Sequence, residues 1–157
     1  MTAADDIEPI QAVHADIATF KYKQRGPNMR GSCFCGACVF ELNGRISALG
    51  KCHCSKCRKV SGTGSNAVLW ARPQNLAWIS GEDNVSSYQP ATGWGTAFCT
   101  TCGSPLPILD TEGGKWFVPA GLLDDDPEVT VRGHIWVSSK PSWEVIGDDA
   151  PQFDGEP

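Results

Sequence analysis

Cys33-Phe34-Cys35-Gly36-Ala37-Cys38 is echoed by Cys52-His53-Cys54-Ser55-Lys56-Cys57, a second run of the same C-x-C-x-x-C form, and far downstream by Cys99-Thr100-Thr101-Cys102-Gly103. These three segments hold all eight cysteines of the chain. Thiols two or three residues apart on a turn can converge on one ion, and turns from distant parts of the chain can complete a tetrahedron around it. Disulfides between such close neighbours would close loops too small to constrain the unfolded chain much. The first thirty residues place Asp5, Asp6, Glu8 and Asp16 where a signal peptide needs a basic start and an apolar centre, so the sequence predicts a cytoplasmic protein with reduced thiols. Clusters of this kind in that compartment are read as zinc sites. Eight thiols make either two four-thiol sites, or one closed four-thiol site, one open three-thiol site and a spare, and spacing does not choose between these. The difference is chemical, because a closed tetrahedron only holds the fold whereas three protein ligands leave a position for water or substrate.

Outside the clusters, a length of 157 residues suits one domain, and the 41% hydrophobic content allows it a packed core. With 17 Gly and 11 Pro against 2 Met, the composition favours turns and short strands over a helical bundle. Val39–Leu42, a turn at Asn43-Gly44 and Ile46–Gly50 read as a hairpin that delivers the second cysteine cluster. Ser55–Val60 reads as one helical turn stopped by Gly62 and Gly64. Further strands are expected at Ala67–Ala71, Leu76–Ile79, Val85–Tyr88, Thr96–Cys99, Pro105–Leu109, Trp116–Pro119, Val129–Val137 and Trp143–Ile146. Before Gly26-Pro27, the residues Ile7, Ile10, Val13, Ile17 and Phe20 fall near a helical period, which fits a short docked helix or a frayed tail. No apolar run approaches the roughly 20 residues of a membrane span. The net charge of −5 also argues against nucleic acid as a partner.

The motifs resemble the glutathione-dependent formaldehyde-activating enzyme family, in the broader branch that also includes the centromere protein V type domain. The likeness is carried by Gly31-Ser32-Cys33-Phe34-Cys35-Gly36, by Cys52-His53-Cys54-Ser55-Lys56-Cys57-Arg58-Lys59, and by Phe98-Cys99-Thr100-Thr101-Cys102-Gly103-Ser104-Pro105-Leu106. A fourth segment, Gly133-His134-Ile135-Trp136-Val137-Ser138-Ser139-Lys140 with Trp143, completes it. The resemblance implies a mainly β, β-tent fold of small antiparallel sheets joined by a structural zinc site. It covers residues 29–146 as a zinc-binding β-tent domain, which leaves a 1–28 N-terminal extension, read as a short helix or disordered, and a 147–157 stretch whose composition reads as a polar tail. It further implies two Zn2+ per chain, a structural ion on Cys33, Cys35, Cys99 and Cys102 and a catalytic ion on Cys52, Cys54 and Cys57. Cys38 then stands as a small buried hydrophobe at the start of a strand.

Three thiolates give a zinc complex a charge near −1, which makes it a weak source of hydroxide and better suited to taking a fourth thiolate. The leading function is therefore a zinc-dependent carbon–sulfur lyase or hemithioacetal-forming enzyme acting on a glutathione-type thiol and a small aldehyde. The alternative is a non-catalytic zinc-binding module for protein interaction. Between Glu41 and Glu82 there is no acidic residue, but there are Arg45, Lys51, Lys56, Arg58, Lys59 and Arg72. Lys56, Arg58 and Lys59, beside the second cluster, are candidates for binding the thiol's carboxylates, and the same cations would also offset the charge of the thiolates. His53, between two cysteines, is expected to point away from the metal. His134 is expected to be a hydrogen-bonded core residue, and the six tryptophans are expected to be mostly core, with one able to wall a pocket.

Overall fold

Short runs of β-branched, aromatic and other apolar residues give short strands here, and turns rich in Gly, Pro and Asn cut them off before they lengthen. The computed structural model describes residues 28–44, 46, 49–91, 94–110, 112 and 114–157. In chain order these form β1 (Asn28–Ser32), β2 (Val39–Asn43), β3 (Leu49–Cys52), α1 (Ser55–Ser61), β4 (Asn66–Ala71), β5 (Leu76–Ser80) and β6 (Val85–Tyr88). β7 (Thr96–Cys99), β8 (Pro105–Leu106), β9 (Ile108–Asp110), β10 (Lys115–Pro119) and β11 (Val131–Ile135) follow. They assemble into three small sheets, ordered β1-β2-β5, β11-β3-β4-β10-β9 and β6-β7-β8. All pairings are antiparallel except that of β11 with β3, which is parallel. The mainly β fold of small antiparallel sheets expected from the sequence is the one observed.

The first sheet packs against both of the others, and the second and third also meet, β10 against β8. Phe40 and Leu42, two residues apart on β2, project from one face and pack with Leu69, Leu76 and Val118, so one core fills the space between the first and second sheets. Trp78 meets the Phe40 ring edge-on at 5.9 Å. Burying side chains of this size stabilises by about 1.5–3 kcal/mol each. A second cluster of Cys33, Cys38, Ala97, Cys99 and Leu106 joins the first sheet to the third. Gly31 lies opposite Phe40 in the β1–β2 ladder, and a Cβ there would come within 2.4 Å of the Phe40 ring. The ring lies over backbone that has no side chain to displace it.

Several expectations are corrected. β2 and β3 do not form a hairpin: β2 pairs with β1 and β5, while β3 lies in the second sheet between β4 and β11. Gly44 does turn the chain at a φ of 81°, but Phe40 and Leu42 find their buried partners on β4, β5 and β10 rather than on the strand that comes next. The strand expected over Pro105–Leu109 is split into β8 and β9 at the fully buried Pro107, which has no N–H to continue a ladder. β11 is shorter than Val129–Val137 and ends where Trp136 adopts a left-handed φ of 59°. Trp143–Ile146 is not a strand, and Trp143 and Val145 are exposed. The tryptophans as a group are at most half-buried, so none is a fully enclosed core residue. The expected helix or tail before Gly26-Pro27 lies outside the described residues. Residues 147–157, read as a polar tail, are mostly exposed but run beside β11. His134 donates to the Pro151 carbonyl at 2.8 Å, and the His134 carbonyl accepts from Phe153 at 2.8 Å.

Gly31→Ala tests the packing of Phe40 over β1. The added methyl forces the ring aside, and urea unfolding is expected to show a loss of about 1–3 kcal/mol. Combined with Phe40→Leu, which frees that space, the loss should be smaller than the sum of the two single losses.

Candidate metal centres

Two tight loops bring the first set of thiols together. Cys33 and Cys35 lie between β1 and β2, and Cys99 and Cys102 lie at the end of β7 and in the turn before β8. In both loops a glycine follows the second cysteine, Gly36 and Gly103, each at a φ of 75° that favours a residue without a side chain. Gly36 donates to the Cys33 carbonyl at 2.9 Å and Gly103 to the Cys99 carbonyl at 2.8 Å. Ser104 ties the loops to each other: its Oγ accepts from the Phe34 amide at 3.0 Å and lies 3.3 Å from Cys102 Sγ.

All four sulfurs lie within 4.8 Å of one another, with 3.6 Å between Cys33 and Cys35 and 3.9 Å between Cys35 and Cys99. A tetrahedron with Zn–S bonds of about 2.3 Å has sulfur–sulfur edges of about 3.8 Å, so the donor set fits zinc without rearrangement. The charges point the same way. Hydrogen bonds from the Ser104 hydroxyl and amide bring Cys102 down to about 6, and the Cys102 amide lowers Cys99. The Ala37 amide pulls Cys35 down as well, but burial and the surrounding thiols outweigh it and leave Cys35 at about 11. Four sulfurs this close cannot all ionise unless a cation sits among them.

Cys38 is not among the four. Its Sγ donates to the Gly81 carbonyl at 3.3 Å, its amide donates to Cys33 Sγ at 3.2 Å, and burial pushes its thiol up to about 12. It behaves as the small buried hydrophobe expected from the sequence.

The second set is Cys52, Cys54 and Cys57, whose sulfurs also lie within 4.8 Å of one another and are half-buried. Cys52 ends β3, Cys54 caps α1 by accepting from the Cys57 amide at 3.4 Å, and Cys57 lies in the helix's first turn. The Cys57 thiol, donating to Cys52, brings Cys52 down to about 6, and that interaction together with burial pushes Cys57 up. No fourth His, Cys, Asp or Glu ligand atom joins this set among the described residues. His53 faces away from the sulfurs, as expected. It is fully buried, and its Nε2 lies 2.9 Å from His134 Nδ1. His134 is the hydrogen-bonded core residue expected of it, with Nε2 3.0 Å from Asp148 Oδ1. Burial, and then His134, lower the pKa of His53 and keep its ring neutral. Asp148 carried no signal in the sequence, because an acidic residue in a polar segment looks the same whether or not it has a partner.

Of the basic residues, Lys56 and Lys59 are exposed on α1. Arg58 has a structural contact that sequence reading missed: its Nε donates to the His53 carbonyl at 3.2 Å. Arg72 follows the far end of β4, six residues beyond Asn66 and so about 20 Å from the three thiols. Arg45 lies outside the described residues.

A shallow cleft opens near the three thiols, none of which lines it. Asn66 stands opposite Cys52 in the β3–β4 ladder and therefore projects from the same sheet face, while Val60 follows Cys57 by three residues on α1. Both line the cleft, together with Val68, Leu106, Trp94 and Phe117, and its empty volume is about 250 Å³ including the mouth. Trp94 and Phe117 meet edge-on at 6.2 Å, so one tryptophan does wall the pocket. No helix among the described residues is long and apolar enough to cross a membrane.

Comparison with known proteins places this geometry in a setting. The family model described as glutathione-dependent formaldehyde-activating enzyme matches residues 28–139. A Halomonas elongata protein, provisionally named as a glutathione-dependent formaldehyde-activating enzyme, is 30% identical over 126 residues that cover 75% of this chain and 80% of its own. The crystal structure of a Rhodobacter sphaeroides protein superposes with a TM-score of 0.51 at 28% identity, covering 63% of this chain and 92% of that one.

Substitution separates the spare thiol from the four. Cys38→Val conserves volume and is expected to leave metal content, measured by native mass spectrometry, and melting temperature unchanged. Cys99→Ser is expected to lose one metal equivalent and to unfold, because the loops it ties belong to different sheets.

Proposed function

Because the chain belongs to the glutathione-dependent formaldehyde-activating enzyme family, we propose that it joins a glutathione-type thiol to a small aldehyde, as a zinc-dependent carbon–sulfur lyase working in the hemithioacetal-forming direction. The observation that carries this reading is the asymmetry of the two thiol sets. Four thiols close on one another between two sheets, whereas three stand together beside a cleft with no fourth protein ligand among the described residues. In this reading Cys33, Cys35, Cys99 and Cys102 hold a structural Zn2+, and Cys52, Cys54 and Cys57 hold the catalytic one. Bound there, zinc would supply positive charge that lowers the pKa of an incoming thiol and keeps its sulfur nucleophilic at neutral pH.

The chain's own residues do the rest. Val60, Val68, Leu106 and Phe117 give the cleft near the sulfurs an apolar lining, which would hold water away from an aldehyde approaching the incoming thiol. Asn66, 5% exposed, offers that cleft a neutral amide able to donate to the oxygen on which charge develops. Lys56 and Lys59 present cations to the thiol's carboxylates from the exposed side of α1. In the reaction one S–C bond forms and the carbonyl π bond opens. The thiol proton ends on the new hydroxyl oxygen, and nothing is oxidised or reduced. A cytoplasmic location, where glutathione keeps thiols reduced, suits both the substrate and the free cysteines.

A non-catalytic module for protein interaction is the second reading, and it rests on the exposed apolar Phe34, Trp143 and Val145. The rate of hemithioacetal formation above the spontaneous rate, followed by NMR exchange with a panel of thiols and aldehydes, separates the two. Cys54→Ser is expected to abolish that excess rate and leave the far-UV spectrum unchanged, because serine still caps α1 while a thiolate is lost. Aldehydes larger than the cleft should react with kcat/KM lower by about tenfold or more. A wild-type protein that loads metal and shows no excess rate with any pair would overturn the enzymatic reading.

A further inference from the structure

The three-thiol loop is held by more than its own six residues. His53, between Cys52 and Cys54, is tied at three points: its amide donates to the Ile135 carbonyl at 2.9 Å, its carbonyl accepts from Arg58 Nε at 3.2 Å, and its ring meets His134 at 2.9 Å. His134 in turn meets the Asp148 carboxylate at 3.0 Å. We propose that Asp148 is a positioning residue for the three-thiol centre, acting through His134 and His53 to fix the loop on which Cys52 and Cys54 sit. The proposal deepens the reading above and rests on its assignment of these thiols as a metal site.

The chain of contacts runs in a set direction. An ionised carboxylate only accepts hydrogen bonds, so His134 Nε2 must carry a hydrogen, and this fixes the orientation of the His134 ring. Its Nδ1 is then aimed at His53 Nε2, and a single proton is shared between the two nitrogens. Without Asp148, the His134 ring loses the contact that selects its orientation, and the His53 ring loses its reference. The two rings are 0% and 1% exposed, and His53 Nδ1 is a buried side-chain polar atom with no hydrogen-bond partner. Two apolar side chains of similar volume would pack there without stranding a polar atom, so holding the fold is not a sufficient reason for two imidazoles.

Asp148 itself is more than one-third exposed. Its segment is held to β11 by backbone bonds that do not involve the carboxylate, from His134 to Pro151 and from Phe153 to His134. The carboxylate also accepts from the Ala150 amide at 3.0 Å, a local turn that asparagine can reproduce. Removing the carboxylate therefore changes the orientation of the two rings while the backbone docking of the segment stays in place. Partners that hydrogen-bond directly to metal ligands are worth about 10–100-fold in metal affinity, and Asp148, which acts through two imidazoles that are not ligands, is expected to have an effect at or below the lower end of that range.

The test loads full-length protein with Co2+ and follows its thiolate absorption during transfer to a chelator. The phase missing in Cys54→Ser marks the three-thiol centre. Asp148→Ala is expected to speed that phase by up to about tenfold, leaving the four-thiol phase and the melting temperature unchanged. Asp148→Asn, which restores the acceptor, is expected to return the rate toward wild type. An unchanged three-thiol phase in Asp148→Ala, or acceleration of both phases together that asparagine does not reverse, would overturn the proposal. Independently of any variant, long-range 1H–15N spectra of the wild-type protein should show His134 protonated at Nε2, and a bare Nε2 would also overturn it. Neither measurement needs turnover, so an inactive protein would sink the functional reading without deciding this one.

Discussion

Mutual repulsion of four sulfurs gathered from two distant loops is the constraint on which the rest of the structure depends. Cys35 and Cys99 are 64 residues apart in the chain, and their sulfurs lie 3.9 Å from each other. Sheets of three short strands need a packed apolar face to be stable. The first sheet finds such a face against the second, but the cluster it shares with the third contains Cys33, Cys38 and Cys99 beside just two other buried residues, Ala97 and Leu106. A divalent cation held among the four sulfurs would turn repulsion into attraction at this junction, and its binding free energy would then become folding free energy for the whole domain.

The same requirement explains which parts of the fold were legible in the sequence. Val85–Tyr88 and Thr96–Cys99 are short runs with β-branched or aromatic residues set between turn residues, and both strands have the bounds expected of them. The helical turn at Ser55 was legible because Gly62, at a φ of 69°, ends it, and the four- and three-thiol groupings followed from the family motifs. Strand partnership was not legible. Asn43-Gly44 is a strong local signal for a hairpin, but a turn directs the chain only over a few residues, and burial of Phe40 and Leu42 beside Leu69 and Val118 decided where β2 belongs. Pro107 was read as a residue within a strand because its missing N–H matters only once a neighbouring strand needs it.

The site was legible in its ligands and obscure in its supports. Sulfurs announce themselves by spacing, whereas the residues that orient them do not. Arg58 was read as a cation for substrate, and its Nε is bonded to a backbone carbonyl of the thiol loop. Asp148 looked like part of a solvated tail, although it terminates a buried chain of two imidazoles. The Arg58 contact spans five residues and the Asp148 contact fourteen, and both are made by residues whose type gives no hint of a particular partner.

The two centres differ in how rigidity reaches them. In the four-thiol set the ligands themselves come from two sheets, so an ion there is clamped by the fold and leaves only if the fold opens. In the three-thiol set the ligands are local, and a loop of six residues by itself would let the ion go easily. Rigidity is supplied at His53, a residue that binds no metal, through the parallel pairing of β11 with β3 and through the segment that follows β11. Anchoring a loop at a non-ligand leaves its three sulfurs fixed relative to one another while the side facing the cleft stays clear. A fourth protein ligand would give the same rigidity only by filling the position a substrate needs. The buried imidazole pair is thus the arrangement that makes a local, three-thiol set both stiff and open.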